Sequence, residues 1–465
     1  MDKNYDFIVI GGGSAGYAAA RTATGLGLKV AVVEGGKEIG GLCILHGCMP
    51  SKTFIESANR FITLRRAKEF GLRADNISVH GNEILARKKH MVSDFSKHRT
   101  EQLENGKFDF IRGMAAFVDS HTIEITSLQN ERTQISGCAF LIATGSVEQV
   151  VPIPGLAETG FLDSDAVLDS PTIPGSVIVL GGGAIAIEFA HFYEGVGSEV
   201  TVLQRSEQVM KEMDVDVADA VVAAYRKRGM KVFLKTKTLR VEKYGDRKRV
   251  FFEHEGVEKF VEADEIICAL GRKPNLKPLN LDRAGVEMEH GRLPCSHRQQ
   301  TNVPHIFAAG DAVGPHDIVH LGIQQGEIAG RNVAKLLRLS AEPLEEADYR
   351  IKLSVIFSEP QVASVGATAK ELERGHIPYI TAKYHFDDHG KSMVLGETEG
   401  FVKLIVAEKN REILGAAVVG PQASDLIHEI AVAMYFHATA GDLARVPHYH
   451  PTLSEIWTYP AEDLA

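Results

Sequence analysis

The chain has 465 residues, of which 44% are hydrophobic, and its formal net charge is -10. This length predicts roughly three domains of ordinary size, each with its own hydrophobic core. The acidic balance, with no block of like charges, excludes a nucleic-acid footprint and a basic membrane-binding face, so small molecules are the expected partners. No run of about 18 apolar residues occurs, and we therefore expect no segment that spans a bilayer.

The N-terminal segment and the cysteines indicate the compartment. The segment MDKNYDFIVIGGG enters a short apolar run directly, which leaves no room for a secretory signal and favours a cytoplasmic location. Five cysteines are too sparse for a disulfide-stapled secreted scaffold, and their odd number leaves at least one unpaired. Cys138 and Cys268 lie in apolar, strand-like runs and are predicted to be small core residues.

The chain contains two copies of one unit, residues 11–34 (GGGSAGYAAARTATGLGLKVAVVE) and residues 181–204 (GGGAIAIEFAHFYEGVGSEVTVLQ). Each copy follows an apolar strand run, opens with a glycine cluster, continues as an amphipathic helix and ends in a second strand. This order predicts a parallel sheet with a phosphate site at the helix N-terminus, where glycines allow the backbone to approach a pyrophosphate. We therefore predict two dinucleotide-binding sites. Their turn residues are Gly11, Gly13 and Gly16 in the first copy and Gly181, Gly183 and Ala186 in the second.

The two copies differ at the end of the second strand, where the ribose of a dinucleotide is read. The first copy carries Glu34 there, a carboxylate suited to accept hydrogen bonds from an adenosine ribose. The second carries Gln204 followed by Arg205. A neutral amide beside a guanidinium tolerates or binds a 2′-phosphate, which a carboxylate would repel. The second site is therefore expected to favour NADP over NAD, unless Arg205 is only a solvated surface residue.

The remaining sequence alternates helical and strand-like patterns. Two long helices are predicted, over about 55–72 and about 82–103, and short β runs follow up to FLIATG. After the second repeat, further strands lead to NVPHIFAAGDAVG, a strand that meets a turn carrying Asp311. The polar, proline-containing stretch 339–350 is predicted to be the last domain boundary. Beyond it, strands and then helices from about Ser424 indicate an α+β domain.

The stretch GGLCILHGCMPSK at 40–52 places Cys43 and Cys48 five positions apart. On a regular helix such residues are about 140° apart around the axis and about 7.5 Å apart along it, too far for a disulfide, so the pair can join only where the backbone bends. Gly47 and its neighbouring glycines provide that freedom, and Pro50 is typical of a helix start. A helix N-terminus lowers thiol pKa values, and the stretch therefore suits a redox-active dithiol.

Three alternative interpretations of the cysteine pair agree less well with the sequence. A zinc site needs four ligands, and only His46 lies nearby. A purely structural disulfide is not expected in a cytoplasmic chain, and two unrelated core cysteines are not expected this close to a dinucleotide turn. No metal is therefore predicted.

With these motifs, the sequence resembles the FAD-dependent pyridine nucleotide-disulfide oxidoreductases, the family of lipoamide dehydrogenase, glutathione reductase and mercuric reductase. The resemblance covers essentially the whole chain, and it includes the redox stretch, both repeats, ATG at 143–145, ALGRKPN at 269–275, FAAGDA at 307–312 and PHYHPTLSE near the C-terminus. It implies an α/β fold with two Rossmann-like domains, for FAD and NAD(P), and a C-terminal α+β dimerisation domain. The implied boundaries are 1–149 for the first part of the FAD-binding domain, 150–270 for the NAD(P)-binding domain, 271–342 for the return to the FAD domain and 343–465 for the interface domain.

The resemblance also implies roles for residues near the flavin. Cys48 would be the thiol beside the flavin, able to form a charge-transfer pair, and Cys43 the interchange thiol that meets the substrate. Lys52 and Glu188 would form an ion pair near the flavin N5, and Asp311 would bind the ribityl chain. The remaining implied cofactor-binding positions are Gly145 and Gly271, which end the ATG and ALG motifs.

A histidine near the C-terminus is the predicted acid–base group. A dithiol that exchanges with a disulfide needs a base with a pKa near 7 and a carboxylate that orients it, and His450 with Glu455 offers both. Without that chemistry, a histidine before a proline in a chain with 19 histidines is usually a surface or turn residue. The resemblance implies that His450 is held by Glu455 and reaches the active site of the other subunit, and therefore that the protein is an obligate homodimer.

Within the family, the sequence resembles lipoamide dehydrogenase most. The Pro-Ser-Lys step at 50–52 and the stretch VHLGIQQG at 319–326 are more similar to that enzyme than to glutathione reductase. The preferred hypothesis is that a small or carrier-bound dihydrolipoyl dithiol reduces the Cys43–Cys48 disulfide, that the resulting dithiol reduces FAD, and that FAD passes hydride to NAD(P)+.

Two departures from that pattern keep other functions open. Lipoamide dehydrogenases normally carry an acidic residue where this chain has Gln204, and Ala184 stands where many relatives carry a bulkier side chain that covers the nicotinamide pocket. The alternative enzyme is an NADPH-dependent reductase of another small disulfide, like glutathione reductase, or of a quinone. A third hypothesis is a flavoprotein redox sensor whose disulfide state switches a partner, although the pair His450/Glu455 would have no purpose there.

Overall fold

A computed structural model describes residues 4–149, 151–314, 316–338 and 340–465 of the chain. The chain forms two compact units. The first contains the residues up to Thr53 together with Ala86–Gln149 and Arg272–Asp348, and the second contains Phe54–Leu85, Val150–Gly271 and Tyr349–Ala465. Residues 150 and 339, at which the sequence predicts boundaries, lie outside the described residues. The domain boundaries therefore stay a prediction.

The helices and strands follow one another in chain order. The N-terminal part contains β1 (Asn4–Ile10), α1 (Ser14–Gly25), β2 (Val30–Glu34), α2 (Gly41–Leu45), α3 (Cys48–Arg65), α4 (Gly81–Glu104), β3 (Asp109–Arg112), β4 (Met114–Asp119), β5 (Thr122–Thr126), β6 (Arg132–Ile142) and β7 (Ser146–Glu148). The middle part contains α5 (Leu156–Thr159), α6 (Ser164–Asp169), β8 (Ser176–Leu180), α7 (Ala184–Gly195), β9 (Glu199–Leu203), α8 (Val215–Lys227), β10 (Lys231–Phe233), β11 (Lys237–Tyr244), β12 (Arg247–His254), β13 (Val257–Ala263), β14 (Glu265–Cys268) and β15 (Arg272–Pro274). The C-terminal part contains β16 (Ile306–Ala308), α9 (Val319–Leu337), β17 (Leu353–Ile356), β18 (Gln361–Gly366), α10 (Ala369–Arg374), β19 (Tyr379–His385), α11 (Gly390–Leu395), β20 (Phe401–Ala407), β21 (Ile413–Gly420), α12 (Ala423–Tyr435), α13 (Ala440–Ala444) and α14 (Thr458–Leu464).

The first unit is built on a mixed seven-stranded sheet in the order β3-β2-β1-β6-β5-β4, with β16 also paired to β6. Strand β1 pairs in parallel with β2 and β6, whereas β4 and β5 form an antiparallel extension. Because successive side chains of a strand point to opposite faces, Phe7 and Val9 pack with α1 and α9, while Ile8 and Ile10 pack with β4 and β5. Burial of both faces explains why β1 reads as a continuous apolar run.

Helices α1 and α9 approach each other at backbone distance. A Cβ atom on Gly326 of α9 would lie 2.1 Å from the carbonyl oxygen of Ala15 in α1, and one on Gly330 would lie 2.9 Å from that of Ala19. Only glycine leaves room for these contacts, so the glycine spacing of α9 fixes the position of α1. The start of α1, and with it the first glycine turn, is therefore supported from behind.

The second unit contains a parallel four-stranded sheet in the order β10-β9-β8-β14 and an antiparallel sheet of β11, β12 and β13. Helix α7 is buried along most of its length. The C-terminal part of this unit adds a five-stranded antiparallel sheet in the order β17-β18-β21-β20-β19, whose core includes the fully buried Trp457. The predicted fold class, two Rossmann-like sheets with a C-terminal α+β fold, is thus confirmed.

The two long helices predicted from the sequence are present, but one of the two cysteines predicted to lie in the core does not lie there. The two helices predicted before the first short β runs correspond to α3 and α4, although α3 begins at Cys48 and ends at Arg65, earlier than the predicted range of about 55–72. The prediction of a core position is wrong for Cys138, which is exposed, while Cys268 is half-buried. In this part of β6 the neighbours Gly137 and Ala139 are buried, so the two-residue period of the strand places Cys138 on the open face. Among the described residues, no helix combines the length and the apolar character needed to cross a membrane.

Candidate active site

Cys43 and Cys48 lie at a junction of two helices. Cys43 belongs to α2, and Cys48 is the first residue of α3. His46 ends α2 with φ -138°, and a Cβ atom on Gly47 would lie 2.9 Å from the Leu42 carbonyl oxygen and 3.3 Å from the Cα atom of Cys43. The predicted bend of the backbone between the cysteines is therefore present, and it requires glycine at position 47.

The structure holds the two cysteines as half-buried thiols. A side-chain hydrogen bond with Cys48, together with burial, raises the pKa of Cys43 far above its ordinary value, whereas the charge of Lys52 acts in the opposite direction. The Cys43 thiol in this arrangement keeps its proton at neutral pH. Because the thiolate is the nucleophile in disulfide exchange, Cys43 needs a base before it can react.

The segment that carries the cysteines packs directly on the first glycine turn. Gly41 has φ +68°, and a Cβ atom there would lie 2.8 Å from the Cα atom of Gly13. Pro50 lies in the first turn of α3, as is typical of a helix start. The start of the cysteine-bearing segment is therefore held against the turn before α1, where a bound dinucleotide would lie.

We expect the substitution Gly47→Ala to separate the two thiols. The added methyl group meets backbone atoms on the Cys43 side, so α2 and α3 must move apart, and misplacement of reacting groups by about 1 Å can lower a rate by about 100-fold. Thiol–disulfide turnover of the variant and its melting temperature provide the measurement. Gly25→Ala is the matched control because nothing lies within 4 Å of its Cβ position. A Gly47→Ala enzyme as fast and as stable as the control would contradict this account.

The first glycine turn fits the pyrophosphate of a dinucleotide. Gly11 has φ +109°, and a Cβ atom there would lie 2.3 Å from the Ala143 carbonyl oxygen; one on Gly16 would lie 1.8 Å from the Gly11 oxygen. Helix α1 begins after Gly13, whose extended backbone supplies no side-chain cap. The first N–H groups of α1 are thus available to an anionic ligand.

Two carboxylates lie at this first site. The Glu34 carboxylate accepts hydrogen bonds from the backbone N–H groups of Gly12 (2.8 Å) and Gly36 (2.7 Å), which fixes it beside the turn at the position of an adenosine ribose. Asp311, in the turn after β16, accepts a hydrogen bond of 2.7 Å from the Ser146 hydroxyl group. The residues of the first unit therefore fit FAD.

A hydrogen-bond network that the sequence did not indicate supports Asp311. The Arg272 Nε atom donates to the Ser146 hydroxyl group over 3.1 Å, and another guanidinium nitrogen donates to the Ser146 carbonyl oxygen over 3.0 Å. Gly145, with φ +67°, precedes this serine. Arg272 directly follows Gly271 in the ALGRKPN motif, so its position in that motif is the only sequence signal for its role.

The second glycine turn repeats the first closely. Gly181 has φ +120°, and a Cβ atom there would lie 2.3 Å from the Ala269 carbonyl oxygen. Gly183 precedes α7 with an extended backbone and no side-chain cap, as Gly13 does before α1. Ala186 is fully buried, and its methyl group lies 3.7 Å from the Cβ position of Gly181, an ordinary contact. The residues of this turn fit a second dinucleotide.

The ribose position of the second site differs from the first in geometry as well as in charge. The Gln204 Oε1 atom accepts from the Arg205 backbone N–H group over 3.0 Å, and its Nε2 atom donates to the Gln208 carbonyl oxygen over 3.1 Å. Both polar atoms of the Gln204 amide thus make hydrogen bonds within their own loop, while the Arg205 side chain is exposed. Ala184, at the start of α7, is exposed too. The small side chain at position 184 leaves the start of this helix uncovered within the second unit.

The structure does not test the predicted ion pair between Lys52 and Glu188. Lys52 lies in the first unit and Glu188 in the second. Glu188 is buried, and its Oε1 atom accepts a hydrogen bond of 3.0 Å from the backbone N–H group of Phe357. The ion pair stays a prediction.

His450 and Glu455 are brought together at the C-terminus. The Nδ1 atom of His450 lies 3.0 Å from the Oε2 atom of Glu455, and 79% of the histidine side chain is exposed against 10% of the glutamate. The neighbouring His448 pairs instead with Glu429. A third histidine, His389, lies behind Glu455 and was not indicated by the sequence. The geometry therefore orients one imidazole of this segment, that of His450, toward a buried carboxylate.

Two glycine turns that fit dinucleotides, and a cysteine pair on a segment packed against the first of them, are features of a dithiol–disulfide oxidoreductase. Residues 5–329 match the sequence pattern described as pyridine nucleotide-disulphide oxidoreductase, and residues 353–461 match the dimerisation domain of the same family. The chain belongs to the pyridine nucleotide-disulphide oxidoreductase family. Members of this family are FAD-dependent enzymes with NAD(P)H as electron donor, and the dimerisation domain supports a homodimer.

The similar proteins include dihydrolipoyl dehydrogenases and a disulfide reductase. The dihydrolipoyl dehydrogenase of Chlamydia trachomatis is 34% identical over 464 residues, 99% of this chain and 97% of that protein. The enzyme of Geobacillus stearothermophilus is 32% identical, over 98% of this chain and 95% of that protein. The structure of LpdA from Mycobacterium tuberculosis superposes with a TM-score of 0.88 at 28% identity, over 99% of this chain and 100% of that one. That of the HOCl-induced flavoprotein disulfide reductase RclA from Escherichia coli, as a Cu(II) complex, gives 0.85 at 25% identity over 100% of both chains.

Within the described ranges, no group of three or more His, Cys, Asp or Glu side chains is placed to hold a metal ion.

Proposed function

We propose that this protein is a dihydrolipoamide-type dehydrogenase that works as a homodimer and transfers electrons from a dithiol to NAD(P)+. The observation that carries the proposal is that the segment with Cys43 and Cys48 packs on the first glycine turn, Gly41 against Gly13, while the two thiols are hydrogen-bonded to each other. The full-length similarity to dihydrolipoyl dehydrogenases supports a dihydrolipoyl group as the dithiol.

Thiol exchange at Cys43 opens the proposed reaction. One substrate thiolate attacks the Cys43 sulfur of the oxidised pair, which forms a mixed disulfide and releases Cys48 as a thiolate. The second substrate thiol then attacks the substrate sulfur of that mixed disulfide, so the substrate leaves as its disulfide and Cys43 leaves as a thiol. Two electrons and two protons have then passed from the substrate to the enzyme. NAD(P)+ accepts the electron pair as hydride, and one proton is released to solvent.

His450 would accept and donate the protons that move in this exchange. In the forward direction it removes a proton from the attacking substrate thiol, and in the reverse direction it removes the proton that Cys43 holds so tightly. Glu455 keeps the Nδ1–H group directed at its Oε2 atom, so that the other ring nitrogen is the one that accepts the proton. By resemblance to the family, this histidine would act in the active site of the partner subunit.

Two dinucleotides would connect the dithiol to its acceptor. FAD, when bound, supplies a two-electron carrier between the dithiol and the nicotinamide. In the first unit, the α1 N-terminus, Glu34 and Asp311 would hold it. In the second, the turn before α7 would hold NAD(P), with Gln204 and Arg205 beside the ribose. A cytoplasmic location agrees with these cofactors and stays a prediction.

The test is the steady-state rate of NAD+ and NADP+ reduction by dihydrolipoamide with purified, FAD-loaded protein. Fast turnover with either nucleotide is the expected result. No turnover, together with rapid oxidation of NADPH in the presence of other disulfides or quinones, would reject the lipoamide substrate and support the reductase. Slow turnover with every dithiol and disulfide, despite fast flavin reduction, would support a redox sensor.

A second candidate function is an NADPH-dependent reductase of another small disulfide or of a quinone. The specific observation in its favour is the neutral Gln204 beside the exposed Arg205, which suits a nucleotide with a 2′-phosphate. The similarity to the disulfide reductase RclA is compatible with it.

We expect the substitution Arg205→Glu to weaken the use of NADPH selectively. A charge-assisted hydrogen bond contributes about 1.5–3 kcal/mol, so kcat/KM for NADPH should fall by about 10-fold or more while that for NADH changes little. Lys211→Glu provides the matched control, since Lys211 is an exposed basic residue of the same segment. Unchanged kinetics with both nucleotides would remove the argument for NADP.

A further inference from the structure

A buried histidine lies behind the predicted acid–base pair. His389 is fully buried, and its Nε2 atom lies 3.4 Å from the Oε1 atom of Glu455. Its Nδ1 atom lies 2.9 Å from the hydroxyl oxygen of Ser392, which is also fully buried. Since the other carboxylate oxygen faces His450, Glu455 lies between two imidazole rings. The four side chains form a continuous chain from the interior to the exposed imidazole of His450.

The chemistry of these groups assigns the protons along the chain. Burial lowers the pKa of His389, although the charge of Glu455 acts in the opposite direction, so the ring is neutral at pH 7. An ionised carboxylate can only accept hydrogen bonds, and therefore the Nε2 atom of His389 must carry the ring proton. The Nδ1 atom then accepts from the hydroxyl group of Ser392. The charged and titratable groups that face this ring are Glu455, His450 and, edge to face, Tyr459.

Within the described part of the chain, the Nε2 atom of His389 has no hydrogen-bond partner of its own. It is buried and makes no hydrogen bond of good geometry, so the Glu455 oxygen at 3.4 Å is the acceptor toward which it can move. A buried donor without a partner costs about 1–3 kcal/mol, which favours the arrangement in which Glu455 comes close to it. Such a contact fixes the carboxylate at both oxygens.

We propose that His389 is a positioning residue for the acid–base group: it holds the Oε1 atom of Glu455, so that the Oε2 atom stays aligned with His450. The proposal rests on the proposed function in that it assigns His450 to proton transfer. An imidazole that is 79% exposed has few contacts of its own to orient it, and a carboxylate anchored at one end only can rotate away. With His389 in place, the Glu455 carboxylate keeps one orientation toward the Nδ1 atom of His450.

The test compares two amide replacements of the same histidine in the FAD-loaded enzyme. In glutamine, the side-chain nitrogen is as many bonds from Cα as the Nε2 atom of histidine, so His389→Gln can still donate to Glu455. In asparagine, the nitrogen corresponds to Nδ1 and faces Ser392 instead. We expect His389→Asn to lower kcat for dithiol–disulfide turnover by about 10-fold or more and to shift its pH profile, and His389→Gln to stay within about 3-fold of the original enzyme.

A second readout does not depend on turnover. The rate at which diethyl pyrocarbonate modifies His450, followed by mass spectrometry across pH, reports how closely the Glu455 carboxylate is held against this imidazole. At mildly acidic pH this rate should increase in His389→Asn, because Glu455 is no longer held against the His450 ring, and stay unchanged in His389→Gln. If the asparagine variant does not fold, Ser392→Ala, which removes the hydroxyl group that donates to the Nδ1 atom of His389, takes its place with a smaller change in the modification rate.

The outcomes separate the two proposals. Equal turnover and equal modification profiles in the asparagine, glutamine and original proteins would overturn the role of His389. Absence of dithiol turnover in the original protein, with a modification profile that still responds to His389→Asn and not to His389→Gln, would instead reject the proposed function and keep the positioning role.

Discussion

Replacing Cys48 with serine is expected to lower dihydrolipoamide turnover by about three orders of magnitude or more, the scale seen when a residue that forms a covalent intermediate is removed. A serine hydroxyl group cannot form a disulfide with Cys43, so the substrate thiolate would have no Cys43–Cys48 bond to attack and its electron pair could not pass to the enzyme. The measurement is steady-state NAD(P)+ reduction, with NAD(P)H-driven reduction of a quinone as the readout that does not need the dithiol.

The chain offers a matched control for this substitution. Cys138→Ser changes an exposed thiol of the same unit and should leave both activities as they are. If Cys48→Ser kept its dihydrolipoamide activity, or if Cys138→Ser lost it, the assignment of the redox pair to 43 and 48 would be wrong.

Replacing His450 with glutamine is expected to lower the same turnover by about 100- to 10,000-fold, the usual contribution of a positioned acid–base group. In the reverse reaction, in which Cys43 attacks a disulfide, the loss of rate should become smaller as the pH rises. The pKa of Cys43 lies above its ordinary value, so its thiolate population increases as the pH rises. At high pH solvent can therefore replace the missing base, and the deficit of the variant in disulfide reduction should narrow between about pH 7 and pH 10.

His448→Gln is the control for the histidine substitution. His448 lies two positions earlier but bonds Glu429 rather than Glu455, so its loss should not reproduce the pH-dependent deficit. A deficit in His450→Gln that stays constant across pH, or one that His448→Gln shares, would assign His450 to a structural role.

Local sequence patterns predicted those parts of the site whose geometry is set within a few residues. The glycine turns, the start of α3 and the bend at Gly47 follow from backbone sterics, and the sequence displays them directly. The pairing of Glu455 with His450 also lies within one short segment. These features need no knowledge of the rest of the fold.

Features that depend on distant segments were missed or misjudged. His389 reaches Glu455 only because the fold brings together residues far apart in sequence, and HFDDHGK contains no sign of this contact. Cys138 was assigned to the core because its neighbours are apolar, yet the cover over β6 ends near this point. Each depends on packing that a single sequence does not encode locally.

The two glycine turns differ in how tightly the surrounding atoms pack against them. At the first, Gly16 leaves no space for a methyl group, and the glycines of α9 press on α1 from behind. At the second, Ala186 fits with an ordinary contact and Ala184 leaves the start of α7 uncovered. The tightly packed first turn suits a cofactor that stays bound, and the more open second turn suits one that exchanges with solvent. One copy of the duplicated unit is thus suited to a cofactor that stays bound, and the other to a cofactor that must dissociate after every turnover.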